Sequence, residues 1–379
     1  MTTLGILGGG QLARMLAQAA QRIGVNVAIL DEDELSPAMQ VTAFGVTGSW
    51  RDLETLGAFA DAVDAITVES EFVPAERIAF IEQRGRRALP SSHTLALVQD
   101  KFIQKQTLNA AGLPTAIYAA VGSPDAVRAF GAQHGYPLVL KTRTLGYDGY
   151  GNAQIDHEGE IPAAWDKLAA TGCALMVESL VRFKRELAII VARGQDGQIV
   201  TYPVAETLRL NHVCHVVRAH RSGFDHPAKE IGRAVVEAVN GVGVFGIELF
   251  ELPDGQVLVH EVAPRVHDSG HYTIEACLTS QFENHVRAVL GLPLGWPDMV
   301  KSAAVMVNCL GVSDQMPKPR DFARALSYRG AHLHWYGKRA CRKGRKMGHV
   351  TAVHDSLSEA ERIARMAAGD LMSASAWFV

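Results

Sequence analysis

The sequence predicts an α/β unit followed by an α+β unit and a small terminal unit, and three features of its 379 residues carry that reading. Apolar strands alternate with amphipathic helices at the start, apolar strands joined by polar or glycine-containing turns dominate from about residue 100, and proline-rich breaks separate the parts. The breaks, at "LPSSHTLALVQDK" and "GLPLGWP", divide the chain into residues 1–97, 98–297 and 298–379.

In the first unit "LGILG" reads as a strand and Gln11 to Ile23 as a helix. "NVAIL" and "AFGVTGSW", a helix near 52–62, "DAITVE", a helix near 74–84 and "RALP" follow. This βαβ rhythm means a parallel sheet wrapped by helices. Ser92 reads as the cap of the next helix. Beyond it "YPLVLKTRT", "ALMVESLV", "RELAIIVARG" and "IVTYPVAET" read as antiparallel strands. A helix near 228–241, the strands "GVFGIELFEL" and "QVLVHEVAPR" and a helix near 273–290 come next. The terminal unit carries "AHLHWYGK" and a basic turn, and the chain has no internal repeat or low-complexity segment.

Composition excludes several classes. Lysine and arginine number 37 against 40 acidic residues, a formal net charge of −3, so no overall field draws the protein to nucleic acid or an anionic membrane. The five cysteines are widely spaced and never form a CxxC pair, which points to a reducing cytoplasm rather than a disulfide framework or zinc site. No basic segment precedes the first apolar strand, and no apolar run approaches the roughly 18 residues of a membrane span. A cytoplasmic protein is expected.

The glycine loop is the first candidate site. Gly8, Gly10 and Ala13 fit a dinucleotide-binding fingerprint, and Asp31 stands where such proteins hold a ribose. The same loop also suits one phosphate at a helix start, or only a tight turn. The rest of the chain decides against a dinucleotide, because its chemistry belongs to ATP and a divalent metal. Lys101 follows the linker, and Lys141 ends a strand beside the glycine-rich "TRTLGYDGYGN", where an ammonium meets phosphates and the loop closes over them. No GxxxxGK[ST] occurs, which excludes a P-loop NTPase. Glu178 leaves an apolar strand in "MVESLV", placed to accept from a ribose.

Glu248 and Glu261 carry the strongest local signal. They interrupt apolar runs on what read as two strands of one hairpin, and a carboxylate there needs a cation. Two acids facing one point suit Mg²⁺ with phosphate oxygens; pairing with Arg265 or another base is the alternative. Directly after, "APRVHDSGHYT" packs Arg265, His267, Asp268 and His271 into a loop that reads as a small-anion pocket.

These stretches, with "HEVAPRVHDSGHYTIEACLTSQFENHVRAVLGLPLG" and "HLHWYGKRACRKGRKMGHV", resemble the ATP-grasp ligases of the purine pathway, and among them the carboxylating ribonucleotide synthases, over nearly the whole chain. The resemblance implies a Rossmann-like pre-grasp domain, a two-lobed ATP-grasp domain and a small C-terminal domain, in a homodimer. It implies carboxylation of the exocyclic amine of aminoimidazole ribonucleotide, using ATP and bicarbonate through carboxyphosphate. Lys101 and Lys141 match phosphate-binding lysines, Glu178, Val181 and Glu186 the adenine and ribose contacts, and Glu248 and Glu261 the ligands of Mg²⁺, or of Mn²⁺ in its place. Gly10, Gln11 and Leu12 match the loop that receives the substrate phosphate, Glu71, Tyr147 and Asp148 substrate contacts, and Lys338, Arg345 and Lys346 bases that clamp that phosphate. Arg265, His267 and Asp268 flank the implied bicarbonate site, and Asp148 or His271 is the candidate for the amine proton.

The basic cluster "KRACRKGRK" has no interleaved aromatics, so it reads as that clamp rather than a nucleic-acid patch. The family usually has Asn at the positions of Asp268 and His260, and a Phe and an Asn within the segment that here reads "TVESEFVPAE". Asp268 puts a negative charge where an anion must bind, tolerable if Arg265 and His267 stay cationic or bond to it. A His-Asp pair there also resembles the sibling formate-dependent glycinamide ribonucleotide formyltransferases. A non-catalytic nucleotide-binding module is the further alternative.

Overall fold

The computed structural model describes residues 2–146, 150–210 and 212–372. The first unit runs β1 (Thr3–Leu7), α1 (Gln11–Arg22), β2 (Asn26–Asp31), β3 (Phe44–Thr47), α2 (Leu53–Asp61), β4 (Ala65–Val68) and α3 (Ala75–Gln83). Its sheet is parallel in the order β3-β2-β1-β4. α1 buries Leu12, Met15 and Leu16, the i, i+3, i+4 stripe of an amphipathic helix, and so its N-terminus is held over the end of the central strand β1. "RALP" supplies only a bridge between Ala88 and Ile66.

Two linker helices follow, α4 (Ser92–Gln99) and α5 (Lys101–Ala110). The α4 cap is Ser91, not Ser92: Ser91 is the residue with extended backbone, and its side chain accepts the Thr94 N–H. Asp100 caps α5 in the same way, which leaves Lys101 on the first turn.

A small antiparallel sheet, ordered β5-β8-β6-β7, is built from β5 (Tyr118–Val121), β6 (Leu138–Thr142), β7 (Asn152–Ile155) and β8 (Leu175–Ser179), with α6 (Pro124–His134) and α7 (Ile161–Ala169). The large sheet begins with β9 (Arg185–Arg193), β10 (Ile199–Thr201), β11 (Ala205–Leu210), β12 (Val213–His220), α8 (Ala228–Ala238), β13 (Gly243–Glu251) and β14 (Val257–Ala263). After α9 (Thr273–Ala276) and α10 (Gln281–Leu290), it gains β15 (Ala303–Leu310), and past α11 (Pro319–Leu326) also β16 (Ala331–Trp335) and β17 (Lys346–His354), with α12 (Leu357–Met372) packed behind. Its order is β14-β13-β9-β11-β12-β15-β17-β16, with β10 beside β9. The terminal strands therefore extend the same sheet through the β12–β15 pair.

Two sequence expectations change. "IVTYPVAET" is two strands, because the chain leaves the sheet at 202–204, where Tyr202 turns inward and donates to the Thr279 carbonyl. The helix expected over 273–290 is two helices, because Ser280 restarts it as a cap accepting from Glu283 N–H. Among the described residues no helix is long and apolar enough to cross a membrane.

Candidate active site

A cavity of about 230 Å³ opens where the first unit, α5, the glycine-rich loop and β14 meet. Glu71, Phe72, Lys101, Gly146 and Glu261 are among its lining residues. The charged groups line up outward from there.

Glu248 and Glu261 are register partners on the β13–β14 hairpin, so both side chains leave the same face. Glu261 accepts from Lys101 Nζ. Glu248 Oε1 lies 2.5 Å from Arg209 Nη2, and its Oε2 lies 3.4 Å from His260 Nδ1. Burial pushes both carboxyl pKa values up, and these cations override it, holding both below the usual carboxylate range. The pairing cations are thus Arg209 and Lys101, not Arg265, which is taken by Glu71. Two hard carboxylate oxygen donors side by side fit Mg²⁺ shared with phosphate oxygens rather than an all-protein cage. Among the described residues, no group of three or more His, Cys, Asp or Glu is arranged to hold a metal.

Glu178 is the last residue but one of β8, with Lys141 Nζ 2.8 Å from its Oε2 and Lys105 Nζ 3.3 Å from its Oε1. Against the upward push of burial, the two lysines hold this carboxyl down to about 2. Burial lowers the Lys105 pKa, with Glu178 opposing. Lys141 also lies 3.5 Å from His260 Nε2, which joins this group to the hairpin acids. Val181 is half-buried in the link to β9, and Glu186 on β9 accepts from Arg209 Nε at 2.9 Å. Arg209 therefore ties Glu186 to Glu248.

The glycine loop is spent differently from a dinucleotide fingerprint. Gly9 N–H donates to Asp31 Oδ2 at 2.6 Å, so the acid at the end of β2 fixes the loop instead of facing a ribose. Gly10 caps α1, and a Cβ there would lie 2.4 Å from Glu69 Oε1, whose carboxylate accepts the Ala13 N–H. Among the described residues, no acceptor lies on the N–H groups of Gln11 and Leu12, the open donors of the first helical turn.

Within "APRVHDSGHYT", His267 Nδ1 lies 3.4 Å from Asp268 Oδ1, and the Arg265 guanidinium feels the Asp268 charge. Arg265 Nη2 donates to Glu71 Oε1 at 2.9 Å, and this pair holds the Glu71 carboxyl at about 2 against burial. His267 lies 3.6 Å from Glu248 and shares a hydrogen with Ser269 Oγ. Asp268 accepts from Lys346 Nζ at 2.6 Å, and the Lys346 carbonyl accepts from Lys338 Nζ at 2.8 Å. His271 is 1% exposed, packed between the Phe282 and His349 rings, and burial lowers its pKa to about 3. It packs against Phe282 of α10, and with its pKa so lowered it stays neutral. Arg345 bonds the Ala340 carbonyl within its own turn. The basic turn sits against the loop after β2, through Arg339 to Asp33 at 3.2 Å and Gln40 to the Gly337 carbonyl at 2.8 Å. Tyr147 and Asp148 lie outside the described residues.

Three family models match this chain in order: a ribonucleotide synthetase preATP-grasp domain over 1–99, an ATP-grasp domain over 106–282, and a phosphoribosylaminoimidazole carboxylase C-terminal domain over 304–363. The N5-carboxyaminoimidazole ribonucleotide synthase of Synechococcus elongatus is 38% identical, across 95% of this chain and 91% of that protein. The chain belongs to the N5-carboxyaminoimidazole ribonucleotide synthase family. The crystal structure of the Aspergillus clavatus family member, in complex with ADP and 5-aminoimidazole ribonucleotide, matches with a TM-score of 0.88 at 35% identity, covering 98% of each chain. The phosphoribosylaminoimidazole carboxylase of Ogataea methanolica is 39% identical, and the chain spans about two thirds of the length of such fungal and plant carboxylases.

Sequence reasoning missed Lys105, Arg209 and Glu69. Lys105 falls four residues after Lys101, one helical turn on, which is a readable signal. Arg209 and Glu69 are single charges in strand and loop, and only the fold brings them to the site.

Proposed function

We propose that this protein carboxylates the exocyclic amine of 5-aminoimidazole ribonucleotide with bicarbonate, consuming ATP and releasing ADP and phosphate, in purine biosynthesis. The observation that carries the proposal is a run of charge contacts: Lys141 links Glu178 to His260, His260 meets Glu248 beside Glu261 and Lys101, and Arg265 on Glu71 leads to Glu69 at the start of the glycine-loop helix. One end suits a nucleoside triphosphate and the other a nucleotide monophosphate.

In this reading Glu178, Val181 and Glu186 hold adenine and ribose, and Lys101 and Lys141 take the phosphates. Glu248 and Glu261 would hold Mg²⁺, whose chemistry when bound is to neutralise phosphate charge during transfer. An oxygen of bicarbonate attacks the γ-phosphorus, and the bond to the β-phosphate oxygen breaks, giving ADP and carboxyphosphate. Carboxyphosphate then loses phosphate as its carbon passes to the amine nitrogen, whose proton goes to the departing phosphate. Arg265 stays cationic beside Glu71, and with His267 it stabilises the developing anions by fixed position. Gln11 and Leu12 N–H groups receive the substrate phosphate with Lys338, Arg345 and Lys346 opposite; Gly10 keeps the loop open for it, and Glu71 orients the imidazole.

The Asp268 charge does not oppose bicarbonate, since Lys346 already neutralises it. The proposal includes a homodimer, which sedimentation would test, and a cytoplasmic location, in keeping with five free cysteines.

The test is ADP release by purified protein with Mg-ATP and aminoimidazole ribonucleotide, with and without bicarbonate. Release that needs both supports the proposal. Release only with formate and glycinamide ribonucleotide assigns the sibling reaction, and no release in either case leaves a binding module.

A further inference from the structure

We propose that Lys105 is a positioning residue: it is the standing counter-ion of Glu178, and it frees Lys141 to leave that carboxylate for the phosphates of ATP. The inference rests on the proposed ATP site. It starts from an imbalance of charge. Glu178 and Lys105 are 5% and 3% exposed at the side chain, and Glu178 is shared by two ammonium groups, Lys105 at 3.3 Å and Lys141 at 2.8 Å. One carboxylate needs only one of them.

The two lysines are not equivalent. Lys141 Nζ hydrogen-bonds Glu178 Oε2, is 12% exposed, and reaches toward His260 on the hairpin that carries Glu248 and Glu261. Lys105 Nζ and Glu178 Oε1 are fully buried and make no hydrogen bond in this state, although their charges face each other. Besides Glu178, Lys105 has the Tyr118 ring, 5.8 Å from Nζ to its centroid. Lys105 is therefore enclosed with Glu178, whereas Lys141 stands on the side of the hairpin that carries Glu248 and Glu261.

If Lys141 turned to the phosphates with no second cation present, Glu178 would be a buried, unpaired carboxylate, which is strongly unfavourable. With Lys105 in place, the move leaves a neutral buried pair, and the unmade bond between Lys105 and Glu178 can close. Lys141 is thus held in reserve beside Glu178 and released at little cost. Adenosine, which has no phosphates, asks nothing of Lys141.

The test compares ATP and adenosine binding by calorimetry in wild type, Lys105→Met and Lys105→Arg. Lys105→Met is expected to weaken ATP by about 10- to 100-fold and leave adenosine within about 3-fold, because only ATP draws Lys141 away. Lys105→Arg, which keeps the cation, is expected to restore most of the ATP affinity. Equal losses for both ligands would make Lys105 a packing residue and overturn the inference, and so would unchanged ATP affinity. Should Lys105→Met not fold, the pair Glu178→Gln and Lys105→Met/Glu178→Gln decides. The uncharged amide needs no counter-ion, so the second change is expected to cost ATP nothing further; a further loss specific to ATP contradicts the inference. Failure of wild type to bind ATP would instead sink the assignment of the ATP site itself.

Discussion

His285 joins the first unit to the large sheet, and its titration gives a measurable pH dependence. The ring is fully buried in α10. Its Nδ1 accepts the Val244 N–H at 3.0 Å, which places the proton on Nε2 to donate to Thr67 Oγ1 at 2.8 Å. Protonation would set two N–H donors against each other at Val244 and bury a charge. Burial accordingly lowers this pKa to about 4. An unfolded histidine titrates near 6.5. The folded state therefore binds fewer protons than the unfolded state between those values, so stability is full above about pH 6.5 and falls as pH drops toward 4. The gap between a folded value of about 4 and an unfolded 6.5 is worth about 3 kcal/mol. The perturbation is His285→Gln, which keeps an acceptor for Val244 but cannot titrate. Urea unfolding at a series of pH values from 8 to 4 measures the loss for each protein. The wild type is expected to lose about 3 kcal/mol more than the variant over that range. Parallel pH curves for the two proteins would refute the reasoning.

Other perturbations separate the remaining parts of the site. Glu261→Gln is expected to lower turnover about 100-fold or more while ADP affinity without Mg²⁺ changes little, read by ADP release and calorimetry. Gly10→Ala would place a methyl 2.4 Å from Glu69 Oε1, and a rise of about tenfold or more in KM for the imidazole nucleotide is expected, with KM for ATP unchanged. Asp268→Ala removes the carboxylate that Lys346 and His267 face, and urea unfolding is expected to show a loss of about 3 kcal/mol, with Asp268→Asn losing less than half as much.

The fold was legible where local rules were strong. Alternating strands and helices announced the parallel sheet, and Glu248 and Glu261 announced themselves by interrupting apolar strands; register then placed them side by side. The break inside 273–290 had a signal, Ser280 three residues before Glu283, which the apolar periodicity across it concealed. Lys105 was legible as one turn beyond Lys101. The Arg209 bridge and the Asp268–Lys346 pair were not, because their partners are set by sheet order and, for the latter pair, lie 78 residues apart. The burial of His271 against Phe282 was not legible either. A dense polar stretch reads as an open loop, and packing against α10 encloses His271 while His267 and Asp268 stay 3.4 Å apart.

Isotope transfer from bicarbonate to phosphate probes the proposed chemistry most directly. With 18O-labelled bicarbonate, Mg-ATP and aminoimidazole ribonucleotide, attack by a bicarbonate oxygen on the γ-phosphorus leaves that oxygen in the released phosphate. Inorganic phosphate carrying one labelled oxygen for each ADP formed is the expected result. Unlabelled phosphate alongside carboxylated product would contradict phosphoryl transfer to bicarbonate, and with it the roles assigned to Lys101, Lys141, Glu248 and Glu261.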